Sequence, residues 1–322
     1  MNFKKNCLIS LIILLLASFS SLSMAQQKMK MGLFIASSAL PYFIAKERGY
    51  FAAEGLDVEG IPLATQPLVV QGIVTGDLDA GSNLLSLEGA NINALRPDTL
   101  KYISLNCQNV KYQLEAYVVP INSPIKTLAE LKGKRIMSAP GPGNLFVAKG
   151  VLKAVGLEEK DYQMQEQQMS VHIGGLQSGQ FDAAYTLEPI VSMMVSQGVG
   201  RKLESGVIAK YMLGRPDACA VLGGGVLSSK FIKEYPQAAE RFARAWSKAL
   251  NDGNNDPTAR DLLVKHMNTS ASIAQTVPLS YYKMARDLTP QDIADFQKLI
   301  DQATTYGLVK QKIDAKSFIK IY

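Results

Sequence analysis

Four short segments rich in hydroxyls, amides and glycine follow apolar, β-branched runs: Ser37-Ser38-Ala39, Gly81-Ser82-Asn83, Pro140-Gly141-Pro142-Gly143-Asn144 and Tyr185-Thr186-Leu187-Glu188. Groups of this kind bind by hydrogen bonding. Nucleophilic catalysis needs more, a nucleophile beside a base that takes its proton. No G-x-S-x-G elbow occurs, and Cys107 has no histidine or acid near it in sequence. The segment Pro140 to Asn144 runs into the helical pattern Leu145 to Val155, so its amides crown a helix N-terminus, which favours a negative group. It is not a dinucleotide fingerprint, because Phe146 stands where the third glycine belongs, and no G-x-x-x-x-G-K-[ST] loop is present. His172 and His266 stand far apart and neither pairs with Cys, Asp or Glu at ligand intervals, so neither a metal nor a cofactor is expected.

Three residue types leave alternatives open. Glu188, if buried, must accept hydrogen bonds or meet a cation; it either caps local backbone or receives an amino or hydroxyl group of a ligand. His172 either binds a ligand's acid end as imidazolium or is a solvated loop histidine, the reading preferred on local sequence. Cys107 and Cys219 lie in strand-like stretches; an oxidising compartment permits a bridge, but spacing alone favours two buried free thiols.

The elements that position these segments alternate. Met29 to Ile35, Tyr42 to Lys46, Leu56 to Ile61 and Leu68 to Thr75 read as strand, helix, strand, helix, which makes the fold α/β. In open parallel sheets ligands bind beyond the carboxyl ends of strands, where all four segments fall. Thr289-Pro290-Gln291-Asp292 reads as a helix start, and Phe242, Trp246 and Leu250 form one face of a helix beginning near Pro236, which places Trp246 in a core. The pattern G-x-x-x-G-x-x-D-A occurs at Gly72 to Ala80 and again at Gly175 to Ala183. In both copies an amphipathic helix ends on glycine before a short strand, so two lobes of similar construction are expected.

The chain has 322 residues, 47% of them apolar, with 34 Lys and Arg against 28 Asp and Glu. That length holds about two domains of roughly 150 residues. A formal net charge of +6, two units of it from Lys4 and Lys5, is too small and too dispersed for a nucleic-acid role. Residues 1–25 read as a cleavable signal peptide: Lys4 and Lys5, an apolar run from Leu8 to Ala17, then Ser23-Met24-Ala25. The run is well short of the ~18 residues that span a bilayer, so a soluble periplasmic protein is expected.

The segment Pro41 to Val58, with Pro-Tyr-Phe-Ile-Ala-Lys-Glu-Arg-Gly-Tyr-Phe at its start, resembles the opening of periplasmic solute-binding proteins of the nitrate/sulfonate/taurine (NMT1/THI5-like) class of ABC transporters. Gly76 to Gly81, Ser123 to Ile136, and Gly179 to Ala183 followed by Glu188-Pro189 resemble further stretches of that class in the same order. The resemblance implies a type II periplasmic-binding-protein fold, two α/β lobes joined by two crossover strands near Leu114 to Pro120 and Arg215 to Val221. Lobe one would be 26–117 plus 219–322, and lobe two 118–218. It further implies a monomer that closes on a small molecule and delivers it to an inner-membrane permease. By the same likeness the cleft takes Ser37, Ser38, Ala39, Gln66, Ser82 and Asn83 from lobe one and Pro142, Gly143, Asn144, His172, Thr186 and Glu188 from lobe two. The helix terminus points to a small organic anion, such as a sulfonate, taurine or a carboxylate. The alternatives are a thiamine-pyrimidine precursor, a ligand-sensing partner of a membrane receptor, and an enzyme, dehydratase-like or pyrimidine-forming, on the same fold. The thiamine enzymes' cysteine cluster is missing, which leaves a binding protein as the expectation.

Overall fold

The computed structural model describes residues 26–322, so the signal-peptide segment lies outside the described residues. Twelve strands run in chain order: β1 (Gln27–Phe34), β2 (Leu56–Leu63), β3 (Ala80–Leu85), β4 (Leu100–Tyr102), β5 (Ser104–Gln108), β6 (Glu115–Pro120), β7 (Arg135–Ser138), β8 (Gln163–Glu166), β9 (Ala183–Leu187), β10 (Gly200–Ser205), β11 (Ala220–Ser228) and β12 (Tyr281–Met284). They form two sheets. The larger has the order β12-β5-β11-β3-β1-β2, with β4 also paired to β11, and the smaller has β10-β6-β9-β7-β8. The chain leaves the larger sheet after Gln108, builds all of the smaller one, and returns at Ala220.

Each sheet has a parallel part and an antiparallel part. In the larger, β1 pairs in parallel with β2 and β3, and β11 runs antiparallel to β3. In the smaller, β7 pairs in parallel with β8 and β9, and β6 runs antiparallel to β9 and β10. The parallel strands are connected through helices, as the alternating apolar runs require. Those that position the site are α1 (Leu40–Glu47), α2 (Gln66–Thr75), α3 (Ser86–Leu95), α4 (Pro142–Ala154), α5 (His172–Gln177) and α6 (Ile190–Ser196), while α7 (Pro236–Asn255) and α8 (Pro290–Thr305) back the larger sheet.

The repeated glycine-aspartate pattern has a physical explanation. Gly76 and Gly179 both take positive φ, +86° and +72°, which ends the helix and turns the chain back toward the sheet. Asp79 Oδ2 then accepts the N–H of Lys30 at 2.9 Å, and Asp182 Oδ2 accepts that of Arg135 at 2.9 Å. The aspartate backbone N–H groups donate to the carbonyls of the same two residues, both at 2.8 Å. In each sheet the motif therefore pins the incoming strand to its neighbour at the same register.

The core of the larger sheet is sealed by α7, whose Phe242, Trp246, Ala249 and Leu250 face inward. Trp246 is buried, and its indole N–H donates to Ser104 Oγ at 2.9 Å, so it is a core residue as its spacing predicts. Burial of such a side chain contributes about 1.5–3 kcal/mol. At α8, where a helix start is expected from the sequence, the Thr289 side chain accepts the Asp292 N–H while Asp292 accepts that of Thr289, a reciprocal cap. Cys107 on β5 and Cys219 ahead of β11 are joined in a disulfide with Cα atoms 4.7 Å apart. This overturns the free-thiol expectation. The antiparallel pairing sets Cys107 opposite Val221 and so brings Cys219 within bridging distance, a proximity that residue spacing does not reveal.

Candidate functional site

The carboxyl ends of β1 and β3 face those of β7 and β9 across a cleft between the sheets. On the first side, Asn83 organises the polar groups. Its Nδ2 donates to the Phe34 carbonyl and to Ser38 Oγ, both at 2.9 Å, and its Oδ1 accepts from Ser82 Oγ at 2.8 Å. Gln66, at the start of α2, donates to the Asn83 carbonyl at 3.2 Å and accepts the Leu85 N–H at 3.3 Å. Ser38, Gln66, Ser82 and Asn83 thus form one buried network. Ala39 turns the other way, into the apolar core under α1.

On the second side, Gly141, with φ +102°, turns β7 into α4, and Asn144 in the first turn of α4 donates to the Pro140 carbonyl at 2.7 Å. His172 Nδ1 and Thr186 Oγ1 are 2.8 Å apart, and His172 Nε2 lies 3.1 Å from the Gln167 carbonyl. The solvated-loop reading of His172 is overturned. The residue opens α5 with its ring buried, and burial pulls its pKa down to about 4. Glu188 is also buried. Its Oε2 accepts the Ser192 N–H at 3.0 Å at the start of α6, and its Oε1 lies 3.5 Å from Lys202 Nζ. The backbone cap, one of its two readings, is in place. Burial pushes its pKa up against the pull of Lys202. Pro142 is exposed and lines an outer groove of about 310 Å3 with Phe146, Lys149, Lys153 and Tyr306, not the cleft.

Two hydrogen bonds join the faces just described, and Arg215 to Asp295, Lys298 to the Leu213 carbonyl and Gln302 to the Met212 carbonyl link the lobes elsewhere. Ser37 donates its N–H to the Glu188 carbonyl at 2.9 Å, and Glu88 Oε1, from α3, accepts the N–H of Gly143 at 2.9 Å. Glu88 was missed in the sequence. It lies against the helix terminus expected to hold a ligand's negative group, so the protein's own carboxylate occupies that position. Its one signal is that it is the lone acid in the run Leu84 to Ala90. Burial, with the Glu166 carboxylate adding to it, pushes the Glu88 pKa up to about 7 although the Gly143 N–H opposes the shift. Three buried polar atoms on the two faces have no protein partner: Ser37 Oγ, Glu88 Oε2 and Asn144 Oδ1. Such atoms are costly to bury unpaired, and a bound molecule that pairs them recovers that cost. Between Phe34, Ile35 and Pro62 to Ala64 on one side and Gln168 to Ser170 on the other lies a pocket of about 260 Å3.

Cys107, Cys219 and Asp292 lie close enough to hold an ion. They do not make a metal site: the sulfurs are bonded to each other, and Asp292 is engaged by Lys283 at 2.7 Å and by the Thr289 N–H at 2.8 Å.

Two α/β lobes facing each other over a polar cleft, with opposing backbone turns bonded across it, define a periplasmic-binding-protein fold. The family model described as NMT1/THI5 like matches residues 36–260, and the chain belongs to that family. The alkanesulfonate-binding protein SsuA from Xanthomonas axonopodis pv. citri, solved bound to MOPS, superposes with a TM-score of 0.75 at 17% identity, covering 92% of this chain and 98% of that one. The aliphatic sulphonate binding protein SsuA from Escherichia coli gives 0.71 at 18% identity, covering 91% and 97%. The nitrate-binding protein NrtA from Synechocystis PCC 6803 gives 0.72 at 16% identity, covering 91% and 84%. At these identities the likeness is one of fold. The expected α/β, two-lobed architecture and membership of the NMT1/THI5-like family are therefore both established.

Proposed function

We propose that the protein is the exported solute-binding component of an ABC importer, capturing a small molecule between its lobes and presenting it to an inner-membrane permease. The observation that carries this reading is the cleft itself, where Ser37 meets Glu188 and Glu88 meets Gly143 across the gap while three buried polar atoms have no protein partner. Lobe one is 26–117 with 219–322 and lobe two is 118–218, and they close by a hinge, because a ligand touching both faces stabilises the closed state over the open one. Residues 1–25 are removed on export to the periplasm, the mature chain is a monomer, and it binds without converting its solute. The disulfide supports an oxidising compartment. Among the described residues no helix is long and apolar enough to cross a membrane.

The expected solute is a small organic anion; at the helix terminus Glu88 accepts the Gly143 N–H, so such a solute would be held by the remaining groups of the cleft or by displacing that contact. The test is a thermal-shift screen of solutes on the purified periplasmic protein, followed by small-angle scattering with and without each hit. A hit that raises the melting point and reduces the radius of gyration is expected. A hit that leaves the scattering unchanged counts against capture by closure.

A further inference from the structure

We propose that the protein carries a second binding site, outside the cleft, for an aromatic carboxylate. The site is a cavity of about 650 Å3 between the end of α7, the segment that joins β5 to β6, and the start of β12. Small-molecule sites occupy about 300–1,000 Å3. None of the lining residues belongs to the smaller sheet, so a molecule held here does not bridge the two faces of the cleft. The site goes beyond solute capture and does not depend on it.

Arg260 lines this cavity, half-buried, and its Nη1 donates to the carbonyls of Val277 at 2.7 Å and Ala274 at 3.1 Å. Those two bonds fix the plane of the guanidinium. Among the described residues its Nε–Nη2 edge has no partner, and such an edge takes a carboxylate in two parallel hydrogen bonds. Burial lowers the Arg260 pKa, opposed only by Tyr282, so no acid offsets the desolvation of this cation. Ser280 also lines the cavity. Its Oγ is buried without a hydrogen-bond partner and can donate to a ligand oxygen.

The remaining lining sets the sign of charge and the shape of the ligand. Lys111 adds a second cation, its Nζ 5.0 Å from the centre of the Tyr112 ring. The carboxylate of the lining, Asp256, is already engaged by Arg48 at 2.7 Å and by the Thr258 N–H at 2.9 Å. An anion entering the cavity therefore meets positive charge that no lining acid has neutralised. Tyr112 and Tyr281 lie with ring centres 5.1 Å apart and tilted by 34°, and Pro278 and Leu279 extend their apolar wall. A flat aromatic body covers that wall while its carboxylate reaches Arg260, whereas a small inorganic anion would leave the wall in water.

The test is calorimetric titration of the mature protein with 2-naphthoate, with 2-naphthylmethylamine and acetate as the compounds that lack the acid and the ring. The naphthoate is expected to bind, and more tightly than either control. Arg260→Lys, which keeps the charge and loses the fork, should weaken it about tenfold, and so should Lys111→Glu. Gly143→Ala, placed in the cleft, should leave it unchanged. The melting temperature reports whether Arg260→Lys folds, and Lys111→Glu, at an exposed position, decides even if it does not. Binding that is lost in Gly143→Ala and kept in Lys111→Glu assigns the naphthoate to the cleft and overturns the second site. Equal binding of the amine overturns the role of the two cations. No binding of the naphthoate overturns the proposal and leaves solute capture to its own scattering test.

Discussion

The Nδ1 of His172 lies 2.8 Å from Thr186 Oγ1, and both side chains are buried at the foot of the cleft. Because burial pulls the histidine pKa to about 4 from an unfolded value near 6.5, the unfolded chain binds more protons between those limits. The stabilisation that comes from keeping His172 neutral is complete above pH 6.5 and is lost as the pH falls toward 4. Denaturant melts of the protein and of His172→Gln should therefore converge on acidification, the difference changing by about 1.4 kcal/mol per pH unit in that window. A constant difference would mean that the ring titrates normally. Solute affinity should show no step near pH 6.5.

A side chain on Gly143 would run into the Glu88 carboxylate. A Cβ there would stand 2.4 Å from Glu88 Oε2 and 2.8 Å from Oε1. The backbone lies in the first turn of α4, where alanine is otherwise at home. Gly143→Ala should thus leave each lobe folded and drive the lobes apart. Expected are a larger radius of gyration in small-angle scattering, a circular dichroism spectrum unchanged from the parent, and at least tenfold weaker solute binding. An unchanged radius would show that the lobes absorb the methyl group without opening.

The Cys107–Cys219 disulfide joins residues separated by 112 positions, and everything between them includes the whole of the smaller sheet. Closing so long a loop in the unfolded chain contributes about 4–5 kcal/mol in a chain-entropy account, with measured values for native bridges of roughly 2–5. Replacing both cysteines by alanine should lower the unfolding free energy by an amount in that range. Thiol titration of the denatured, unreduced mature protein should find no free thiol. A full count of thiols would restore the unbridged reading.

The fold was legible because it is written locally. Glycines at helix ends, the Thr289 cap and the apolar spacing around Trp246 each act within a few residues, and every one is realised. The repeated glycine-aspartate motif went further, since its two aspartates hold equivalent strand registers in the two sheets. The polar site was legible only in part. Ser38, Gln66, Ser82 and Asn83 come together because they lie at the ends of adjacent strands. What the sequence concealed is tertiary. The burial of His172, the pairing of Cys107 with Cys219 and the reach of Glu88 across the cleft to Gly143 all depend on contacts between segments 14 to 112 residues apart. A carboxylate on a helix of one lobe leaves no mark beside the helix it caps in the other.

Glu115 opens β6 where the chain enters the smaller sheet, and its carboxylate is buried there. Oε1 accepts the Ile208 N–H at 3.4 Å, while Oε2 has no protein partner. Burial pushes its pKa up to about 7, against a value near 4.5 in the unfolded chain. The folded state therefore holds the proton more tightly, and the stabilisation that comes with the protonated form is present below pH 4.5 and lost as the pH rises through 7. Glu115→Gln removes that dependence while keeping an oxygen to accept the Ile208 N–H. The variant should match the parent near pH 4.5 and gain on it by about 1.4 kcal/mol for each pH unit up to 7, as urea unfolding at pH 5 and pH 8 would measure. A variant equally less stable at both pH values would show that the Glu115 carboxylate is charged and fully paired in the folded protein.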